Sequence, residues 1–174
     1  MKYFFVPLVS IALLAMACTN NKSGNSAAQT DSVATLVPAT EKLCFLGTAN
    51  RDSVRLELKR TDSDFNGFLF YDRYESDSSI GEYNGKVSGD TLKGVFNFMS
   101  EGMISNVDKY FLMKDGNLLE GIGPLTEKDS ISLVFTDTAQ VKFGESYILQ
   151  PATCADEFIS RQNREFYYKL KTNK

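Results

Sequence analysis

Two glutamates beside glycine residues have the side-chain type that acid–base chemistry needs. Glu101 lies in a Ser-Glu-Gly segment and Glu120 in a Leu-Glu-Gly segment. Two carboxylates that flank a glycosidic bond can hydrolyse it. Glu120, however, lies on the same side of its predicted strand as Leu118 and Ile122. This favours a polar group inside or at the rim of a β fold, paired with a tyrosine, lysine or arginine.

Composition excludes several other classes of function. The chain has no histidine, which excludes Ser-His-Asp and Cys-His catalysis and removes the commonest ligand of zinc and copper. A net charge of −3 provides no basic surface for nucleic acid. Asp62-Ser63-Asp64 and Asp115-Gly116-Asn117 lack the ligand series of a calcium loop and are predicted turns. We therefore predict a protein that is not an enzyme and that has no cofactor, no metal and no nucleic-acid partner.

Residues 1–17 have the pattern of a secretory signal peptide. Lys2 supplies the positive charge, an apolar run follows, and small residues end at Ala17. The run of about 15 residues is too short for a bilayer core, which needs roughly 20. The sequence LLAMAC, which ends at Cys18, resembles the lipobox of bacterial lipoproteins, with Ala15 where that family more often has leucine.

The lipoprotein resemblance implies that Cys18 is acylated through its sulfur and becomes the first residue after cleavage. The alternative is ordinary cleavage after Ala17, which leaves Cys18 as a free thiol. Residues 18–40 are rich in small polar side chains and are predicted to be a lipidated N-terminus followed by a disordered tether. Its partner would be a membrane, bound through the acyl chains.

The lipobox region also resembles lipoproteins of the Bacteroidetes type. In those proteins, export to the cell surface goes with acidic residues directly after the cysteine, and residues 19–24 contain none. The resemblance therefore implies a cell-envelope location, at the outer membrane and facing the periplasm.

Residues 41–154 show the period-two alternation of β-strands around one central hairpin. In this hairpin, Gly81–Gly102, two alternating arms fold about Ser88-Gly89-Asp90. Its closely spaced glycines indicate bends, bulges or close approach of the backbone. Further strands are predicted over residues 53–60, 65–74, 104–114, 118–123, 130–136 and 141–149.

About eight or nine strands joined by short turns predict an all-β fold. We expect an antiparallel up-and-down barrel of lipocalin-like form, because closure removes the exposed edges of the sheet. A two-sheet sandwich is the alternative. The body resembles small uncharacterised β-barrel lipoproteins of the Bacteroidetes type in four segments: Cys44-Phe45, Gly85 to Asp90, Phe98 to Gly102 and Cys154. That resemblance implies a fold and no particular activity.

Once Cys18 is assigned to a lipid, Cys44 and Cys154 remain as an even pair in an oxidising compartment. We predict that they form a structural disulfide. A redox pair is disfavoured because the chain has no Cys-x-x-Cys motif.

Residues 155–174 do not continue the period-two alternation of the strands and are predicted to form a short C-terminal helix. Phe158, Ile159, Phe166 and Leu170 would share one side of it and pack against the barrel. Binding to a partner protein or to a membrane surface is the alternative. Residues 65–74 carry apolar groups on both faces, which predicts that another element covers one of them.

Several aromatic side chains could line a cavity for a small apolar ligand, because an eight-stranded barrel can just hold one. The candidates are Tyr71, Tyr83, Phe96, Phe98, Tyr110 and Phe111, with Glu120 as a polar member. A filled core is the favoured alternative. The predicted function is a lipid-anchored, non-catalytic module that binds a ligand or an envelope protein. The rival functions are a carrier of a small apolar ligand and a hydrolase that uses Glu101 and Glu120.

Overall fold

The computed structural model describes residues 39–172, which form ten β-strands and one α-helix. The strands are β1 (Glu41–Ala49), β2 (Asp52–Arg60), β3 (Asp64–Asp72), β4 (Ser79–Ser88), β5 (Thr91–Ser100), β6 (Met103–Lys114), β7 (Asn117–Ile122), β8 (Leu125–Asp129), β9 (Ser132–Phe135) and β10 (Lys142–Pro151). A short 3₁₀ turn (Thr138–Gln140) precedes β10, and the helix is α1 (Arg161–Thr172).

Eight of these strands close into an antiparallel barrel. β1 to β7 pair in chain order, and β10 lies between β7 and β1, so each of the eight has a neighbour on both sides. The predicted all-β barrel with a short C-terminal helix is therefore confirmed, and the sandwich alternative is not found.

The other two strands, β8 and β9, form a hairpin inserted between β7 and β10. β9 runs parallel to β6 and pairs with it at Asn106 with Ser132 and at Val107 with Leu133. The sequence does not predict β8 because its residues are exposed on both faces and show no alternation. The strand predicted over residues 130–136 is shorter than expected, and Ile131 lies outside it with 44% of its surface exposed.

Alternate side chains of the barrel strands point inward and fill most of the interior. Leu56, Leu69, Tyr83 and Phe111 have no exposed surface and belong to one continuous apolar cluster. Burial of this kind of surface is the main stabilising contribution to a fold of this size.

Two glycines of the central hairpin are required by close approach of the backbone. A Cβ atom added at Gly81 would lie 1.8 Å from the carbonyl oxygen of Asn97, across the hairpin. A Cβ atom at Gly94 would lie 2.7 Å from the ring of Phe65 and 2.8 Å from the ring of Tyr83. The close approach predicted from the glycine pattern is confirmed at these positions.

Helix α1 covers part of the outer wall of the barrel, as predicted. Tyr167 is fully buried and meets the ring of Phe68 edge-on at 5.9 Å. Arg164 pairs with Glu57 at 2.6 Å on one side, and Lys171 pairs with Glu82 at 2.6 Å on the other. These contacts cover the outer apolar face of β3.

One part of the helix prediction is wrong. The sequence predicts Phe166 on the buried face, but this residue is 53% exposed. The helix begins at Arg161, whereas Ile159 is buried in the segment before it. A helical wheel that includes Ile159 therefore predicts Phe166 on the face that packs against the barrel. In the structure the next residue, Tyr167, occupies that face.

β1 and β10, the first and last strands of the barrel, meet at a short seam. Two positions pair across it, Phe45 with Pro151 and Leu46 with Gln150. Beside this seam, Cys44 and Cys154 form a disulfide with a Cα–Cα distance of 5.3 Å. The predicted disulfide is confirmed, and it joins β1 to the segment directly after β10, next to the place where the barrel closes.

The predicted signal peptide (residues 1–17), Cys18 and nearly all of the predicted tether lie outside the described residues. Within residues 39–172, no helix is both long enough and apolar enough to cross a membrane.

The disulfide should contribute substantially to stability because it joins residues separated by 110 positions. In the chain-entropy model, a loop of this length destabilises the unfolded state by about 4–5 kcal/mol. We expect reduction of the disulfide to lower the free energy of unfolding by up to about this amount. Urea denaturation with and without reductant measures the change. The Cys44→Ala/Cys154→Ala variant is the control and should not respond to reductant. Thiols that react in the native, unreduced protein at these two positions would contradict the bridge.

Candidate functional site

A pocket with a volume of about 190 Å³ opens into one end of the barrel. We call it the mouth pocket. Its lining comes from the end of β3, the start of β4, the second half of β5 and the middle of β6, β7 and β10, and includes Tyr71, Phe96, Phe98, Lys109 and Glu120. The opposite end of the barrel is closed by the apolar cluster, so the interior is filled at one end and hollow at the other.

A buried carboxylate stands at the centre of the mouth pocket. Glu120 is 3% exposed and accepts three hydrogen bonds. The Tyr71 hydroxyl and the Lys109 ammonium group both donate to its Oε1 atom at 2.7 Å, and the Ser146 hydroxyl donates to Oε2 at 2.8 Å. The sequence-based interpretation of Glu120 as an interior group paired with a tyrosine or lysine is confirmed by these contacts.

A β-bulge in β10 brings Ser146 to this carboxylate. Where β10 pairs with β7, Phe143 lies opposite Gly121 and Ile148 lies opposite Leu119. The register between the two strands therefore shifts at the position opposite Glu120. Gly144 lies within the bulge with a φ of +89°, a value that favours glycine. Bulges re-aim side chains, and this one places a hydroxyl where a flat strand would not.

The network sets the charge states of Glu120 and Tyr71. Burial by itself raises the pKa of Glu120, but the charge of Lys109 and the hydrogen bonds from Lys109, Tyr71 and Ser146 outweigh burial, so that the net pKa is below the ordinary 4.5. Burial, together with the neighbouring Glu120, holds the pKa of Tyr71 well above its usual range. At neutral pH Glu120 is therefore a carboxylate and Tyr71 is a neutral phenol.

Aromatic rings form the apolar wall of the mouth pocket. Phe96 and Phe98 stack with their centroids 5.0 Å apart and their planes 18° apart. The ring of Tyr71 lies 5.8 Å from Phe96 and 6.0 Å from Tyr147. At the rim, the Arg73 guanidinium carbon lies 5.6 Å from the centroid of Tyr71.

Four of the seven candidate cavity residues line the mouth pocket, namely Tyr71, Phe96, Phe98 and Glu120. Tyr83 does not. It lies in the closed core between Phe65 and Phe111, and its hydroxyl donates to the carbonyl oxygens of Leu92 and Lys109 at 3.2 and 2.9 Å.

The two other aromatic candidates also lie away from the pocket. Phe111 is fully buried in the closed core. Tyr110 points to the outer side of β6 and packs on Phe135 of the inserted hairpin at 4.9 Å.

Sequence reasoning missed Arg73, Lys109, Ser146 and Tyr147. The sequence does contain a signal for Lys109, because this residue shares the inward side of β6 with Val107 and Phe111. A lysine on the apolar side of a strand indicates a buried partner of opposite charge. No comparable signal marks Ser146, because its position depends on the bulge.

Glu101 and Glu120 lie in different parts of the molecule. Glu101 occupies the β5–β6 turn with a φ of +51°, and a hydrogen bond with Asp77 raises its pKa. It borders an open groove of about 710 Å³ on the outer wall beside α1, whereas Glu120 faces the mouth pocket. The described structure therefore does not bring the two carboxylates together around one substrate.

Comparisons with known proteins identify no relative of this chain. No protein-family model, no curated protein and no solved structure matches it.

Neutralising Glu120 should destabilise the protein at neutral pH, because Lys109 would lose the partner that compensates its charge. We expect Glu120→Gln to lower the free energy of unfolding by about 3–5 kcal/mol, and Lys109→Met/Glu120→Gln to recover most of the loss. Glu101→Gln, which alters an exposed turn residue, should have little effect. Urea denaturation of the four proteins measures all three differences.

The effect of Glu120→Gln should also depend on pH. Because the folded-state pKa of Glu120 is lowered, its stabilising contribution is complete above pH 4.5 and is lost as the pH falls through the folded-state pKa. The free energies of unfolding of wild type and variant should therefore converge as the pH falls, since all other carboxylates titrate equally in both proteins. A stability difference that stays constant through the acid range would contradict this account of the network.

Proposed function

We infer that this protein is a lipid-anchored protein of the cell envelope whose barrel binds a small molecule in the mouth pocket. One observation carries the proposal: an interior cavity surrounds the hydrogen-bonded cluster of Tyr71, Lys109, Glu120 and Ser146. A buried ion pair contributes little or nothing to stability compared with apolar residues of the same size. Charged groups kept inside a barrel therefore support a binding role.

The chemistry of the pocket favours binding over hydrolysis. Glu120 is the one carboxylate among the described residues that line the pocket. Its lowered pKa keeps it ionised at neutral pH, whereas a general acid needs a raised pKa. Its oxygens already accept hydrogen bonds from three side chains. The pocket thus lacks both the second carboxylate and the protonated acid of a glycosidase.

The anchor is proposed from the sequence of the N-terminal region. Replacing Cys18 with serine should move the protein from the detergent phase to the aqueous phase in a phase-separation experiment, because acyl chains would supply its membrane affinity. Replacing Cys44 and Cys154 with alanine is the matched control and should leave the protein in the detergent phase. A Cys18→Ser protein that stays with the detergent would refute the lipid anchor.

Ligand binding can be tested by filling the pocket. Val107 lines the mouth pocket, whereas Val95 faces outward from the neighbouring strand and is 38% exposed. We expect Val107→Phe to abolish the binding of single-ring compounds, detected by ligand-observed NMR. The control variant, Val95→Phe, should bind them as wild type does. Equal binding by both variants would place the ligand elsewhere, and no binding by wild type would remove the proposed function.

A further inference from the structure

The mouth pocket carries an uncompensated positive charge at its rim. Lys109 and Glu120 neutralise one another inside the pocket. Arg73 also lines the pocket, and it has no carboxylate within ion-pair distance among residues 39–172. One cation is therefore left facing the opening.

Two acidic residues close to Arg73, Asp72 and Asp52, are already engaged, and the exposed Glu75 in the turn after β3 forms no ion pair with it. Asp72 pairs with Arg55 at 3.3 Å on the outer side of the barrel. Asp52 accepts hydrogen bonds from the Tyr74 amide at 2.8 Å and from the Tyr147 hydroxyl at 3.3 Å. A bound anion would give Arg73 the partner that the protein itself does not supply, and arginine is well suited to carboxylates because its guanidinium group can donate two parallel hydrogen bonds.

The volume of the pocket limits the ligand to one ring. A cavity of about 150 Å³ in another protein holds benzene. The mouth pocket, at about 190 Å³, has room for one six-membered ring and a small substituent. A long acyl chain or a fused-ring cofactor would exceed the volume of the pocket. The stacked rings of Phe96 and Phe98 provide a flat apolar wall against which an aromatic ring can pack.

The positions of the two charges set the orientation of such a ligand. Glu120 is buried, whereas Arg73 is exposed at the opening. A carboxylate placed deep in the pocket would have to compete with Glu120 for Lys109, whose charge Glu120 already balances, and would face Glu120 oxygens that already accept donors from the protein. At the rim it meets Arg73 instead. The ring therefore lies inside and the carboxylate lies at the opening.

We propose that the mouth pocket selects a single-ring aromatic carboxylate, with the ring against Phe96 and Phe98 and the carboxylate paired with Arg73. This inference rests on the proposed function, because it names the class of ligand for the same pocket. It goes further in requiring discrimination by charge.

Three compounds of the same shape and different charge provide the test. Benzoate is an anion, benzamide is neutral and benzamidine is a cation. Isothermal titration calorimetry with the purified full chain should show that benzoate binds about tenfold more tightly than benzamide, the effect of one hydrogen-bonded charged pair. Benzamidine should bind more weakly than either. The benzoate affinity should fall as salt is raised, because Arg73 is exposed to solvent.

Two arginine variants separate the role of Arg73 from a general effect of net charge. Arg73→Gln should reduce benzoate affinity about tenfold to the level of benzamide and leave benzamide affinity unchanged. Arg51 lies in the neighbouring β1–β2 turn over the ring of Tyr74 and does not line the mouth pocket, so Arg51→Gln should bind benzoate as wild type does.

The outcomes distinguish this inference from the proposed function. Equal or tighter binding of benzamide or benzamidine would overturn the carboxylate preference and leave small-molecule binding standing. An Arg51→Gln protein as weak as Arg73→Gln would also overturn it, because the effect would then be one of net charge. Failure of all three compounds to bind would overturn both.

Discussion

A carboxylate inside a β-barrel has to be hydrogen-bonded and balanced by charge, and this requirement shapes one end of the molecule. Glu120 is served by an ammonium group, a phenol and a hydroxyl that come from three other strands. The bulge in β10 lies opposite Glu120 and turns Ser146 toward the carboxylate. The same groups keep this end of the barrel polar and hollow while large apolar side chains fill the other.

Much of the barrel was predictable because strand alternation is a local property of the sequence. The arms of the central hairpin, the strand at 53–60 and the turn at Asp115-Gly116 each carry their own signal. The disulfide between Cys44 and Cys154 followed from counting cysteines rather than from geometry. Closure of the sheet followed from the physical need to avoid free edges.

The features that sequence reasoning missed depend on contacts between distant segments. Ser146 reaches Glu120 through a register shift that no alternation pattern reveals. Arg73 lies just beyond the end of β3, so its position at the rim follows from the closed barrel. Tyr167 rather than Phe166 faces the barrel because the helix begins later than its apolar residues suggest. In each case the tertiary structure, not the local pattern, decides where the side chain points.

The direction of β1 within the barrel has a consequence for how a ligand would reach the mouth pocket. β1 begins at Glu41 at the filled end of the barrel and runs toward the end that holds the mouth pocket. The first residues of β1 and the opening of the mouth pocket therefore lie at opposite ends of the barrel. A ligand would enter the pocket directly from the solvent at the end away from Glu41, because the packed apolar cluster blocks passage through the interior from the other end.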